Sequence, residues 1–408
     1  MTESNQWRKA LLGNHCDLLA GYSFKSARFT KSLEDIPLVK GENLGHRSID
    51  WINAPRWTAS EAADLEKFRL QTGDVVLAMD RPIVQERLKF SWIREADPSA
   101  LLVQRVARLR GINGLQTDFL KYLIASPSFQ SHIEGITTGV NVPHISGRDI
   151  LSYSFRLPSE TVQQRIADIL SNYDRLIDNN TRRITLLEES IHRLYKEWFV
   201  YLRFPGCDRV RVIDGVPKEW KLVKLSEIAG VNQRTISARN APEKIQYVDI
   251  SSVTTGKICE VQLVSLADAP SRAKRVVTHR DVIWSMVRPG RRAYSLVLNP
   301  SENLIASTGF AVLSAKKVPC SFLYQAVTTD SFVNHMENVA TGAAYPAVKP
   351  KDFESTSLLI PDENLLSKFD EFAMSINQQI NNLQIQNQKL REARDLLLPR
   401  LMNGSIAV

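Results

Sequence analysis

Apolar residues recur every seven positions along residues 164–199. Leu170, Ile177, Ile184, Ile191 and Trp198 form one series, and Tyr173, Asn180, Leu187 and Leu194 follow three residues behind. The two series are the a and d stripes of a coiled coil, so the pattern predicts one long helix whose narrow seam needs a partner. The chain supplies that partner 203 residues further on, where Ala373, Ile380, Asn387, Arg394 and Leu401 hold the a stripe and Ile376, Leu383, Leu390 and Leu397 the d stripe. Asn180 and Asn387 are polar at seam positions, where each reads either as fixing pairing register at a cost in stability or as marking an exposed seam end.

The offset of 203 reaches back into the preceding segments: Phe119/Phe322, Phe129/Phe332, His132/His335, Thr138-Gly139/Thr341-Gly342, Pro143/Pro346, Asp149/Asp352 and Pro158/Pro361 pair without a gap. Farther upstream, Asp74-Val75, Met79 and Arg81-Pro82 match Asp281-Val282, Met286 and Arg288-Pro289 at a spacing of 207. Trp7 and Trp220 mark the two starts. This is a tandem duplication with a period far too long for a solenoid, and the chain reads as globular unit, helix, globular unit, helix.

Short β-like runs at 36–39, 75–78 and 101–107, with a helical pattern at 115–125, make the first globular unit mixed α+β. Runs at 246–250, 282–286, 294–298 and 310–313 give the second the same character. Leu157-Pro158 ends the first unit, Ser159 is placed to cap the helix and Glu160 suits the positive end of its dipole. The helix is expected to run about 40 residues, or ~60 Å, and to stop at Phe204-Pro205-Gly206. The expected blocks are 1–156 and 205–358 for the globular units and 157–204 and 359–408 for the helical regions.

With 408 residues, 43% of them apolar, the chain has material for two or three domains with real cores. It carries no signal-peptide pattern and no run near the ~18 apolar residues of a membrane helix, so the expectation is a cytoplasmic protein. Cys16, Cys207, Cys259 and Cys320 lie far apart without zinc spacing and read as reduced thiols. A formal charge of +8 suits a polyanionic partner without requiring one.

Cations concentrate in a few places. The stretch 271–292 holds seven Lys or Arg against the single acid Asp281, with Trp284 inside it and Tyr294 just after. It reads either as a phosphate- or base-contacting patch or as a solvated loop. Arg272, Lys274, Arg275, Arg288, Arg291 and Arg292 are its candidate contacts, the last three leading, and Arg81 is the positional match in the first unit. Lys25, Arg28, Lys31, Arg47 and Arg148 are the other candidates in the first unit's loops. The small-residue loops Thr138-Gly139 to Pro143 and Thr341-Gly342 to Tyr345-Pro346, followed by Arg148 and by Lys349 and Lys351, read either as repeated turns or as backbone that approaches a ligand closely.

Catalytic signatures are missing. No cofactor loop with an Asn/Asp-Pro-Pro-aromatic strand end is present, and Gly256-Lys257-Ile258 lacks the glycine spacing and hydroxyl of a phosphate-binding lysine loop. Asp214 with Glu219-Trp220-Lys221 imitates a nuclease metal set but has no counterpart at Trp7, and His132 and His335 read as helix-packing residues.

Four segments carry a family likeness: Leu-Pro-Ser-Glu-Thr-Val-Gln-Gln-Arg-Ile-Ala-Asp-Ile-Leu at 157–170, Lys-Glu-Trp-Phe at 196–199, Val-Pro-Lys-Glu-Trp at 216–220, and Arg-Asp-Leu-Leu-Leu-Pro-Arg-Leu-Met-Asn-Gly at 394–404. With the duplication, the whole chain resembles the specificity subunit (S, or HsdS) of type I restriction-modification systems. The resemblance implies a non-enzymatic DNA reader with two target-recognition domains, one per half of a bipartite double-stranded site, and two helices packed antiparallel as the spacer between them.

It also implies docking of two methyltransferase subunits and, through the assembly, of restriction subunits. S-adenosylmethionine, ATP and Mg would be bound by those partners and not by this chain. A helix pair of ~30 residues would hold the domains ~45 Å apart, about 13 base pairs between half-site centres. Residues 361–367 depart from the pattern by lacking the Gln-Gln-Arg of 163–165. The rivals are a coiled-coil adaptor that never touches nucleic acid and a subunit that modifies DNA itself.

Overall fold

A computed structural model describes residues 7–137, 143–237 and 242–408. By contact the chain forms two compact units, residues 1–179 with 387–408 and residues 180–386. Each unit therefore combines a globular part with a portion of both long helices, which the sequence blocks list separately.

The first unit is built on an antiparallel sheet of β1 (Cys16–Ala20), β2 (Val75–Ala78), β3 (Phe90–Trp92) and β4 (Val106–Gly111), in the order β1-β4-β2-β3. The expected strand at 101–107 is two, a short Leu101–Leu102 that pairs elsewhere and β4, because the turn at Arg105 has a left-handed φ of 66° and breaks the run. Side chains alternate across the sheet as strand geometry requires. Val75, Leu77, Ala107 and Leu109 face a core filled by the helices Thr117–Ala125 and Pro127–Ile136, while Val76, Ala78 and Val106 face a smaller core with Val39 and Leu44.

The second unit repeats the plan with β5 (Ala229–Val231), β6 (Asp281–Ser285), β7 (Tyr294–Leu296) and β8 (Phe310–Ala315), in the order β5-β8-β6-β7. Val282, Trp284, Ala311 and Leu313 face one core, and Ile283, Phe310 and Val312 another. In both units a ribbon leads into the helix, Arg8–Leu11 against Ser154–Leu157 and Lys221–Lys224 against Ser357–Ile360.

The long helices are Glu160–Tyr195 and Glu363–Met402. The first ends short of Phe204: a single wider π turn, Lys196–Val200, follows, and it buries both Trp198 and Phe199. Phe199 packs on Trp220 at 6.0 Å and on Phe369 at 5.1 Å. The a stripe of the second helix, Ala373, Ile380, Asn387, Arg394 and Leu401, is buried throughout, as are Leu170, Ile177, Asn180, Ile191 and Leu383. Ile184, Leu187, Leu194, Ile376, Leu390 and Leu397 are half-buried.

Inside the first unit the helical segments run antiparallel, Asp174 opposite Arg394 and Ile177 opposite Asn387. Gln163 is fully buried and ties the helix to the sheet's loops. Its Nε2 donates to Gly114 O (2.8 Å) and Pro158 O (3.0 Å), and its Oε1 accepts from Gln116 N (2.9 Å). The matching Leu366 is packed in the apolar core of the second unit, so the missing glutamine there is a difference of internal packing.

A polar node sits in the first unit's seam. Asp174 accepts from Tyr122 Oη (2.7 Å) and from Arg394 Nη1 (2.6 Å), and Arg47 Nη1 stands 3.8 Å from it. Burial lowers the Arg47 pKa. For Arg394 burial acts the same way, but Asp395 and Asp174 outweigh it and the pKa rises. Removing the acid strands two guanidinium groups, so Asp174→Ala is expected to cost about 3–5 kcal/mol in urea unfolding. Asn377→Ala, the matching change in the second unit, should cost about 1 kcal/mol.

Candidate nucleic-acid interface

In the second unit the chain leaves β6 into a tight turn. Arg288 and Arg292 both take left-handed φ, 51° and 53°, around the 3-10 turn Pro289–Arg291. This turn is stitched to the small-residue loop: Arg288 N donates to Pro346 O at 2.7 Å, and Val287 and Thr341 each bridge to Ala347. The Arg288 guanidinium lies over the exposed Tyr345 ring, 4.5 Å from its centroid, and Nη2 donates to Ala344 O at 3.2 Å. Two features 50 residues apart in sequence thus form one surface, the turn 288–292 against the loop 341–347.

The first unit repeats the stitch. Arg81, φ 43°, donates its N–H to Pro143 O at 2.7 Å, and Asp80 bridges to His144. Thr138 and Gly139 lie outside the described residues. The segment after each loop begins with the same backbone-to-carboxylate bond, Ser146 N donating to Asp149 Oδ2 and Lys349 N to Asp352 Oδ2, both at 2.7 Å.

The candidate cations divide by whether an acid holds them. Arg292 donates to Asp330 at 2.6 Å and lies beside Tyr294, while Arg272 pairs with Asp249 at 2.7 Å and donates to Tyr247 Oη. Arg28 pairs with Glu61 and sits over Trp57. Arg275 is half-buried on strand Ala273–Val276, where desolvation lowers its pKa. Arg291, Lys274, Lys349, Lys351, Lys25, Lys31, Arg81 and Arg148 are exposed. Thr341 and Gly342 are exposed at the loop's start.

Arg47 is a correction. It is 9% exposed and belongs to the Asp174 node, so it cannot meet a phosphate in solvent. Its neighbours in sequence gave no sign of this, because its acid is on the helix 127 residues away. Sequence reasoning also missed Arg234, which reaches the buried Asp281 at 2.8 Å and thereby cancels the one acid of the basic stretch. The four cysteines are unpaired. Among the described residues no group of three or more His, Cys, Asp or Glu could hold a metal, and no helix is long and apolar enough to cross a membrane.

A duplicated α+β chain with two long helices and a cationic turn-and-loop in each copy defines a paired-domain scaffold. Residues 6–189 match the family described as type I restriction modification DNA specificity domain. The MjaIX specificity subunit of Methanocaldococcus jannaschii is 24% identical over 390 residues, covering 92% of this chain and 87% of that one. The EcoAI specificity subunit of Escherichia coli is 32% identical over 173 residues, 42% of this chain and 28% of its own length. A crystal structure of the type I restriction-modification S subunit from M. genitalium shares the fold, with a TM-score of 0.56 at 16% identity over 98% of this chain and 99% of that one. These matches make the chain similar to the specificity subunits of type I restriction-modification systems.

The stitched loop gives a local prediction. Arg288→Ala removes the hydrogen bond to Ala344 and the stacking on Tyr345, each worth about 1 kcal/mol. Amide exchange at Thr341 and Ala347, which bond to each other, should accelerate several-fold while the urea midpoint of the whole chain barely moves.

Proposed function

We propose that the chain reads double-stranded DNA, one half of a bipartite site per unit, and performs no chemistry itself. What supports this most directly is the recurrence of one cationic turn-and-loop in both copies, Arg81 with Pro143 and Arg288 with Pro346. A glycine- and alanine-rich loop beside exposed cations lets backbone amides approach phosphate oxygens, and the exposed Arg291, Lys349 and Lys351 stand a few residues from the turn or the loop in sequence. Phosphate contacts of this kind position the protein; Arg288 and Tyr345, held against each other, present a guanidinium fork and a ring toward base edges.

The methyltransferase subunits of such a system dock on the helical regions, two per chain in keeping with the duplication, and restriction subunits join through the assembly. S-adenosylmethionine, ATP and Mg are bound by those partners. The parts of the helices that remain exposed, among them Leu176, Leu186, Phe372 and Leu396, supply apolar docking area.

Methylation sequencing of cells that express the chain with its methyltransferase subunit, against cells lacking only the chain, should reveal a two-part adenine motif with a fixed gap. No motif from an assembled complex, together with no salt-sensitive affinity for duplex DNA, would make the chain a protein-joining adaptor.

The sequence points to Arg291 and Arg292 as a paired substitution that weakens one half-site. Since Arg292 is tied to Asp330, Arg291→Ala with Lys351→Ala is the cleaner pair. It should weaken DNA binding and reduce the slope of log affinity against log salt by roughly 1–2, and unchanged affinity would remove this surface from the interface.

A further inference from the structure

The duplication places one buried position in two chemical settings. In the first unit the loop after strand Ile36–Val39 is bridged from Leu44 to Ile49 and turns through Arg47, φ 58°, whose N–H donates to Phe90 O at 2.7 Å. In the second unit the loop after strand Lys244–Val248 pairs Val253–Thr254 with Lys257–Ile258 and turns through Gly256, φ 73°, whose N–H donates to Tyr294 O at 2.9 Å. Phe90 and Tyr294 are equivalent, since they face Leu77 and Trp284, 207 residues apart, in the same register. Gly256 therefore stands where Arg47 stands.

The node that holds Arg47 is changed as well, its second ion-pair acid Asp395 corresponding to His192. Asp174, Arg394 and Tyr122 correspond at the offset of 203 to Asn377, Ile191 and Gln325. With no side chain at position 256, a cavity of about 270 Å³ lies there, lined by Gly256, Ile191, Gln325 and Asn377 together with Glu188 and Tyr324. Glu188 aims at the vacated position: a Cβ on Gly256 would stand 2.7 Å from its Oε1. Among the described residues no cation pairs with Glu188, and burial pushes its carboxyl up to about 7.

The other charged or titratable groups on this cavity do not supply the missing cation. Arg292 is spent on Asp330, burial depresses the His192 pKa, and Glu189, Tyr294 and Tyr324 carry no positive charge. Asn377 is 6% exposed, and its Nδ2 has no hydrogen-bond partner among the described residues.

We propose that this cavity binds a small organic cation, a guanidinium or primary ammonium that pairs with Glu188 as Arg47 pairs with Asp174 in the other unit, with an oxygen acceptor for Asn377 Nδ2. The volume falls just under the usual range for small-molecule sites, which suits a ligand of few heavy atoms, and the walls offered by Tyr294 and Tyr324 suit a cation over an aromatic face. The site is independent of DNA reading, so either can fail without the other.

The test is calorimetric titration of the full chain with arginine amide acetylated at its α-nitrogen, and with citrulline amide acetylated in the same way as the uncharged isostere. At pH 8 the acetylated arginine amide should bind one per chain with a dissociation constant of about 1 mM or tighter, and the acetylated citrulline amide at least tenfold more weakly. Glu188→Gln, which removes only the charge, should abolish the difference between the two. Gly256→Arg should block both by occupying the cavity from within. The affinity should rise about tenfold between pH 6 and pH 8 as Glu188 ionises through its value of about 7. Absence of saturable binding of the acetylated arginine amide, or equal affinity for the two amides on the unchanged chain, overturns the proposal. Neither of these outcomes depends on a variant folding.

Discussion

The seam of the two long helices constrains everything else. A helix apolar only at its a and d positions has a stripe too narrow to bury against itself, so each globular part must complete its core with segments of both helices. In the second unit Ile191, Tyr195, Trp198 and Phe199 meet Leu365, Phe369, Ala373 and Ile380 in one cluster with Trp284 and Phe322. In the first, Ile166, Ala167 and Leu170 share a cluster with Leu398 and Leu401. Neither core is complete until residues about 200 positions apart have met, and contacts of such sequence separation are costly to close during folding.

The duplicated copies agree in backbone and differ in polar side chains. The hydrogen bond from Arg81 N to Pro143 O and that from Arg288 N to Pro346 O have the same length, 2.7 Å, and the left-handed turn survives the exchange of Arg47 for Gly256. Backbone donors and acceptors must be satisfied wherever they are buried, whatever the side chain. The polar side chains answer to a weaker condition, that each buried group find some partner. Asp174 meets it in the first unit, accepting from Tyr122 and Arg394. Arg47 Nε and Nη1 have no hydrogen-bond partner among the described residues, and the guanidinium is held by ion pairs with Asp174 and Asp395. Replacing that set by Asn377, Ile191 and Gly256 leaves Glu188 without an internal cation, and the cavity follows from the same substitutions.

The period of the apolar pattern made the helices and the duplication readable, because a seven-residue repeat survives any change that keeps the residue apolar. The α+β character of the units and strands such as Ile36–Val39 and Val75–Ala78 were readable for the same reason. The expected helix end at Phe204 was not, since a π turn after Tyr195 leaves no mark in composition. The meeting of the turn 288–292 with the loop 341–347 was equally hidden. Each was noticed as a separate feature, but their contact depends on how β6 exits the sheet. Arg47 was misread because a cation in a loop looks the same in sequence whether its carboxylate is solvent or Asp174.

A count of cations along the sequence leaves out the acids that the fold brings to them. The stretch 271–292 carries a local charge of +6, yet Asp249 takes Arg272, Asp330 takes Arg292, and Arg234 arrives from outside to take Asp281. Ion pairs at half-exposed positions contribute little stability, so their effect here is chiefly to hold side chains in place. Placement is what separates a diffuse cationic patch from a reading surface. A paired Arg292 anchors the turn from which the exposed Arg291 projects, and an Arg288 packed on Tyr345 gives up rotamer freedom before any ligand arrives, which lowers the entropic cost of binding. Under the proposed function, fewer free cations, each better oriented, would favour discrimination between sequences over bulk affinity for polyanion.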